Sequence, residues 1–206
     1  MNARPWTALL AASTVLGPIA AAVVHFVSDE WRASDPPPLP EQFAALADTL
    51  LVTQIVVSAL LLVASVGWSR RIPAEDGLRI LVPGAALLKV FATVAALAVA
   101  RDASLQTWQV ALALALPDVV FWFVVLTGVA RLFETEHGRA DLARSTLKLR
   151  WVFVVYRSAM LLVWVVPPDV QRTLTLCHRA LAPLLACVFA VLLVKSMRRP
   201  AAEPAA

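Results

Sequence analysis

The chain has 206 residues, 60% of them apolar and only 16% charged, with a net charge of +4 and a mean hydropathy of +0.77. A soluble domain carries about 25% charged residues and does not need apolar runs of the length found here, which excludes an ordinary globular enzyme or nucleic-acid-binding module. The basic excess reads as membrane topology, and no nucleic-acid partner is expected.

Six apolar runs follow one another at about 7–28, 43–67, 79–100, 108–131, 150–166 and 173–195, near the roughly 20 residues that a membrane-crossing helix needs. They predict an all-α fold, a polytopic helical bundle in the membrane forming one domain over 1–199, with a disordered tail at 200–206. In the first run, Arg4 followed by apolar residues and Ala20-Ala21-Ala22 has the form of a cleavable signal peptide. The run continues through Val23-Val24-His25-Phe26-Val27 to full spanning length, so an uncleaved first helix is expected. The segment 29–42 is acidic and contains Pro36-Pro37-Pro38, which favours an extended, semi-rigid spacer.

The third run, LRILVPGAALLKVFATVAALAVA, carries Lys89, and the fourth, WQVALALALPDVVFWFVVLTGVA, carries Asp118 directly after Pro117. Each charge lies about 10 residues, or about 15 Å, from the end of its run that adjoins the basic or the outer loop, respectively. In an antiparallel hairpin that distance puts both near the midplane. An unpaired charge there costs about 3 kcal/mol even on the lowest insertion scale, so Lys89 and Asp118 are expected to answer each other. This lysine and Pro-Asp hairpin resembles one in small four-span bacterial membrane proteins, and no function is carried over from it. The segment ETEHGRADLARSTLK reads as a topology-setting loop. Leu142 and Leu147 hint at a short surface helix whose basic residues could touch a partner or anionic lipid. The fifth run places Tyr156 and Arg157 halfway through, at the depth of Lys89 and Asp118. The sixth contains Cys177 and Cys187, too far apart on one helix to bridge and expected to be buried as small apolar side chains. Pro18, Pro117 and Pro183 lie inside runs, where they predict ordinary kinks.

Charge separates the connecting segments into two sets. The N-terminus, 68–79, 131–150 and the tail from Lys195 hold most of the arginines and lysines, whereas 29–42, 101–107 and 167–172 hold only Arg32, Arg101 and Arg172. The positive-inside rule then puts both termini in the cytoplasm. Trp6, Trp31, Trp68, Trp108, Trp151 and Trp164 fall near run ends, as interfacial belts require, and Trp122 alone is mid-run. The Ala/Val/Arg/Leu-rich usage points to a high-GC genome and a bacterial inner (plasma) membrane.

Two constellations could carry chemistry. At the midplane, Lys89, Arg157 and Tyr156 surround Asp118, two bases for one acid. Charge balance then needs a neutral Lys89, an Asp118 shared by both bases, or a bound anion. Near the outer face stand His25, Asp48, His178 and Arg179. Asp48 with Arg179 would make a salt bridge at the headgroup boundary, and His25 with His178 would be the axial pair if a haem were held. Apart from that haem alternative no cofactor is expected, and no metal site. P-loop, GxSxG, HExxH and paired CxxC patterns are missing from the sequence, which leaves an enzyme the less favoured expectation. The leading expectation is a permease-like protein holding a small anion or polar molecule at the midplane, with proton coupling as an option. The rival is a non-catalytic membrane subunit whose buried charges secure assembly with a membrane partner or a second copy. An integral membrane enzyme or haem carrier comes third.

Overall fold

A computed structural model describes residues 4–34, 39–100, 107–136, 138–161 and 166–196. The tail expected to be disordered lies outside them. All regular structure among the described residues is helical: α1 (Arg4–Ala33), α2 (Pro40–Ser69), α3 (Leu78–Ala100), α4 (Thr107–Thr135), α5 (Ala140–Leu161) and α6 (Pro168–Lys195). Stretches of α1, α2, α3, α4 and α6 are long and apolar enough to cross a membrane. The described part of α5 falls short of that because it carries Arg144, Lys148, Arg150 and Arg157.

Local chemistry sets the helix starts. Pro40 opens α2, its fixed φ suiting the first turn, and the Gln42 Oε1 reaches back to accept the Leu39 N–H at 3.0 Å. Asp76 Oδ1 accepts the Leu78 N–H at 3.0 Å and so caps α3. Between α4 and α5 the chain reverses at Gly138, whose φ of 59° lies in the left-handed region. Here the sequence expectation of a loop with a separate surface helix is corrected. The helix from Ala140 runs unbroken into the fifth apolar run, because Ala143 and Thr146 are buried and anchor its polar first turns. Asp141 strengthens the start: the Arg139 guanidinium hydrogen-bonds both its oxygens at 3.0 Å and holds its carboxyl down to about 2, keeping a negative charge at the helix N-terminus.

Each helix packs on the next in sequence from α1 to α5, and α6 returns to α1, while α5 and α6 touch only slightly. The result is a ring with one thin seam. One end of it is tied by Arg71, in the α2–α3 turn. Its guanidinium donates to Glu136 Oε2 at 2.6 Å, to the Ser196 carbonyl at 2.9 Å and to Thr7 Oγ1 at 3.4 Å. Four separate parts of the chain meet on that one side chain, at what is here termed the basic end. Arg131 adds an ion pair to Asp76 at 3.5 Å.

The core is displaced toward this end. Leu10, Leu61, Trp68, Val82, Phe121, Val129, Phe133 and Leu193 are all fully enclosed. Beyond Gly17 of α1, Ala86 of α3 and Phe153 of α5, and before Ser58 of α2, Pro117 of α4 and Ala186 of α6, no described side chain is buried. One half of the bundle is therefore tightly packed and the other is loosely packed. Small residues make the tight half tight, as in membrane bundles generally. Ser13, Thr14 and Thr146 are buried there with their hydroxyls donated to the carbonyls of Leu9, Ala11 and Leu142 at 2.8 Å.

Two expectations about side-chain placement change. Trp68 is completely buried rather than sited in an interfacial belt. It lies over Gly128, where an added Cβ would come 3.0 Å from its ring. Trp6 likewise packs on Gly67. Glycine leaves the space that admits an indole between two helices. Cys177 and Cys187 are exposed and free instead of buried, because α6 packs mainly on α1 and leaves much of its surface uncovered.

Candidate functional site

Where the tight half gives way to the loose half, three helices bring together charges from inside their apolar runs. α3 presents Lys89, α4 presents Asp118 one residue past Pro117, and α5 presents Arg157. The Lys89 ammonium contacts Asp118 Oδ1 directly. The Arg157 Nε lies 2.7 Å from the other oxygen, Oδ2, a close ion pair without hydrogen-bond alignment. Asp118 is thus shared by both bases, one per oxygen. The site keeps a formal surplus of one positive charge. Its members are enclosed to different degrees: the side chains of Asp118, Arg157 and Lys89 are 10%, 20% and 25% exposed. The acid is the most enclosed of the three and each cation is partly exposed.

An aromatic layer closes the site toward the basic end. Trp122, one helical turn past Asp118, stacks on Phe153 with centroids 4.6 Å apart and meets Phe189 edge-on at the same distance. Phe121 lies beside it at 5.8 Å. Lys89 Nζ is 5.1 Å from the Phe121 centroid and 6.0 Å from that of Trp122, within range of both ring faces. The indole N–H of Trp122 is buried and close to the Asp118 carboxylate, out of good hydrogen-bond alignment. Donors therefore outnumber acceptors around Asp118.

Tyr156 leaves this group. One residue along a helix is a turn of about 100°, so Tyr156 faces α6 while Arg157 faces α4. Its hydroxyl lies 2.5 Å from His178 Nδ1 and donates to the His178 carbonyl at 3.3 Å, with the rings stacked 5.5 Å apart. The Arg157 guanidinium still reaches its ring, at 5.7 Å. A residue assigned to the midplane set and one assigned to the outer set are thus joined across the thin α5–α6 seam. Together with the Lys89–Asp118 and Asp118–Arg157 pairs, the Arg157–Tyr156–His178 contacts link α3, α4, α5 and α6. Arg179 is half-buried next to His178, and Asp48 is exposed on the loose half of α2. The His25 side chain lies outside the described residues, so the haem pair is not described. Among the described residues no three His, Cys, Asp or Glu side chains gather as metal ligands.

Sequence reasoning missed the Arg71 clasp and the aromatic layer. Arg71 carries no signal that separates it from neighbouring Arg70, and Phe153 and Phe189 look like any other apolar residues in their runs. What the arrangement can do is hold charge: a carboxylate bridged by two cations, walled on one side by rings and less tightly enclosed on the other. No protein-family model matches the chain, no curated protein matches it in sequence, and no solved structure matches it in fold.

Proposed function

We propose that this is a six-span, permease-like membrane protein that takes a small anion at Lys89 and Arg157, above Asp118. The observation that carries the reading is the place of the two-base, one-acid cluster, at the floor of the loosely packed half with the aromatic layer and Arg71 closing the other side. A site walled at one end and less tightly enclosed at the other suits alternating access. The surplus positive charge favours an anion over a cation. Asp118, held between the bases, is the group that a coupled proton would reach, and Tyr156 with His178 forms a separate hydrogen-bonded pair beside it.

In this reading the fifth span is the apolar run 150–166, which α5 enters, the charged first turns of α5 lying outside the hydrocarbon. The arginine-rich segments set the orientation, with both termini cytoplasmic, in a bacterial inner membrane. The test is thermal melting of purified protein in nanodiscs with chloride, phosphate, acetate and succinate at equal ionic strength. One anion class should raise the melting temperature, and Arg157→Gln should abolish that rise. Equal melting with every anion would overturn the reading.

One observation favours the rival subunit reading: Asp118 already contacts both bases, as a charge network that only fixes helices would. That reading expects a membrane partner to co-purify at fixed stoichiometry and to be lost from Asp118→Asn.

A further inference from the structure

Three arginines at the basic end have a carboxylate of their own. Arg71 has Glu136, Arg131 has Asp76 and Glu134, and Arg139 has Asp141. Arg150 has none. It sits at the first turn of the fifth apolar run, on the groove between α5 and α4, half-buried. Its Nη1 donates to Thr127 Oγ1 at 2.9 Å. The hydroxyl of Thr127 is itself donated to the Phe123 carbonyl at 2.6 Å, so it is held as an acceptor facing Arg150. The guanidinium plane lies 4.2 Å from the Phe123 centroid and 5.4 Å from that of Trp151, and the two rings meet edge-on at 5.9 Å. Nε is buried without a partner, and among the described residues Nη2 makes no hydrogen bond.

A guanidinium fixed by two rings and a hydroxyl is preorganised, and it stays charged at any physiological pH. Partly desolvated and without an internal counter-charge, it lacks the anion that its fork is shaped to take. Its depth supplies the candidate. Thr127 is four residues before the end of the fourth run and Arg150 is at the start of the fifth, which is the level of the lipid headgroups. Over the next turn and a half toward the midplane, the outward surface becomes apolar: Trp151, Val152 and Val155 are 54%, 53% and 64% exposed. Cation above and bare apolar surface below is the order of groups along a phospholipid.

We propose that the α4–α5 groove at Arg150 is a binding site for the phosphate of an anionic phospholipid, with Phe123 and Trp151 orienting the guanidinium and the α5 surface receiving an acyl chain. This site is separate from the Asp118 cluster and does not depend on what that cluster carries. Basic side chains near the membrane surface contribute about 1 kcal/mol each toward anionic lipid, so a preference of roughly fivefold for phosphatidylglycerol over phosphatidylcholine is expected.

Native mass spectrometry of the full-length protein released from equimolar phosphatidylglycerol and phosphatidylcholine micelles should show that preference in the first retained lipid. Melting in nanodiscs should rise when phosphatidylglycerol replaces part of the phosphatidylcholine. Arg150→Gln should remove both effects. Arg144→Gln, which deletes an exposed charge on the other side of α5, should keep them. If Arg150→Gln does not fold, the lipid preference of the wild-type chain and its loss in Thr127→Val decide. Equal retention of the two lipids by the wild type overturns the proposal, and so does equal loss in Arg144→Gln, which would mean unspecific attraction. Stabilisation by inorganic phosphate in pure phosphatidylcholine, equal to that by phosphatidylglycerol, would assign the site to free phosphate and overturn the lipid assignment.

Discussion

Replacing Asp118 by asparagine keeps the shape of the side chain and removes the one negative charge in contact with Lys89 and Arg157. Breaking a buried ion pair by deleting one partner costs about 3–5 kcal/mol in proteins, because the remaining charge is left buried and unanswered. Here two cations are stranded, yet both are partly accessible and can extend toward the loose half, so the low end of the range, about 3 kcal/mol, is expected. On the scaling for domains of this length, that lowers the melting temperature by roughly 6–12 °C. Arg157 dominates the cost, since its guanidinium does not shed its charge. The assay is a double-mutant cycle read by thermal melting of purified protein in nanodiscs. Lys89→Met alone should destabilise less than Asp118→Asn, since Arg157 still answers the acid. The double variant should recover part of the Asp118→Asn loss, with a coupling of about 1–2 kcal/mol. An unchanged melting temperature for Asp118→Asn together with zero coupling would refute the argument that these side chains balance one another.

Gly67→Ala should lower stability by about 1–3 kcal/mol, the usual cost of overpacking, because the new Cβ would stand 2.5 Å from Trp6 ring atoms; Trp6→Leu in the same chain should relieve part of it, as melting would show. Arg71→Ala should cost more than Glu136→Gln. The Glu136 side chain is 38% exposed, so its ion pair is worth under about 1 kcal/mol, whereas Arg71 also holds the Ser196 carbonyl. Equal melting of the two variants would show that the carbonyl contact is idle. For orientation, cysteine at Ser34 should react with an impermeant thiol reagent in intact cells and cysteine at Ser145 should not, in a background lacking Cys177 and Cys187. Both positions are exposed, unlike buried Ser69, and labelling at Ser145 would reverse the assigned topology.

Depth was legible in the sequence and rotation was not. Lys89, Asp118 and Arg157 could be placed at one level because charges inside apolar runs are rare and the rise per residue is fixed. Their contact needs little more than that level. Tyr156 shares the level of Arg157 but points to another helix, and nothing in an apolar run of valines and leucines marks which face is inward. The same ambiguity misplaced Trp68 and the two cysteines, whose distances from the run ends were read without knowing which way they turn. The unbroken α5 was hidden for a different reason. Its first turns are polar, and hydropathy reports the solvent of a helix rather than its existence.

The Arg71 clasp joins parts of the chain that are made at very different times. Thr7 already exists when Arg71 is synthesised. Glu136 follows 65 residues later and Ser196 125 residues later. At about 5–20 residues per second, the guanidinium waits roughly 6–25 s for its last protein partner. In that interval water and lipid phosphates must serve it, and the basic end cannot take its final form until the whole of α6 has been delivered. Sealing this end thus waits for the last turn of α6, and a chain that stops short of Ser196 leaves it unsealed.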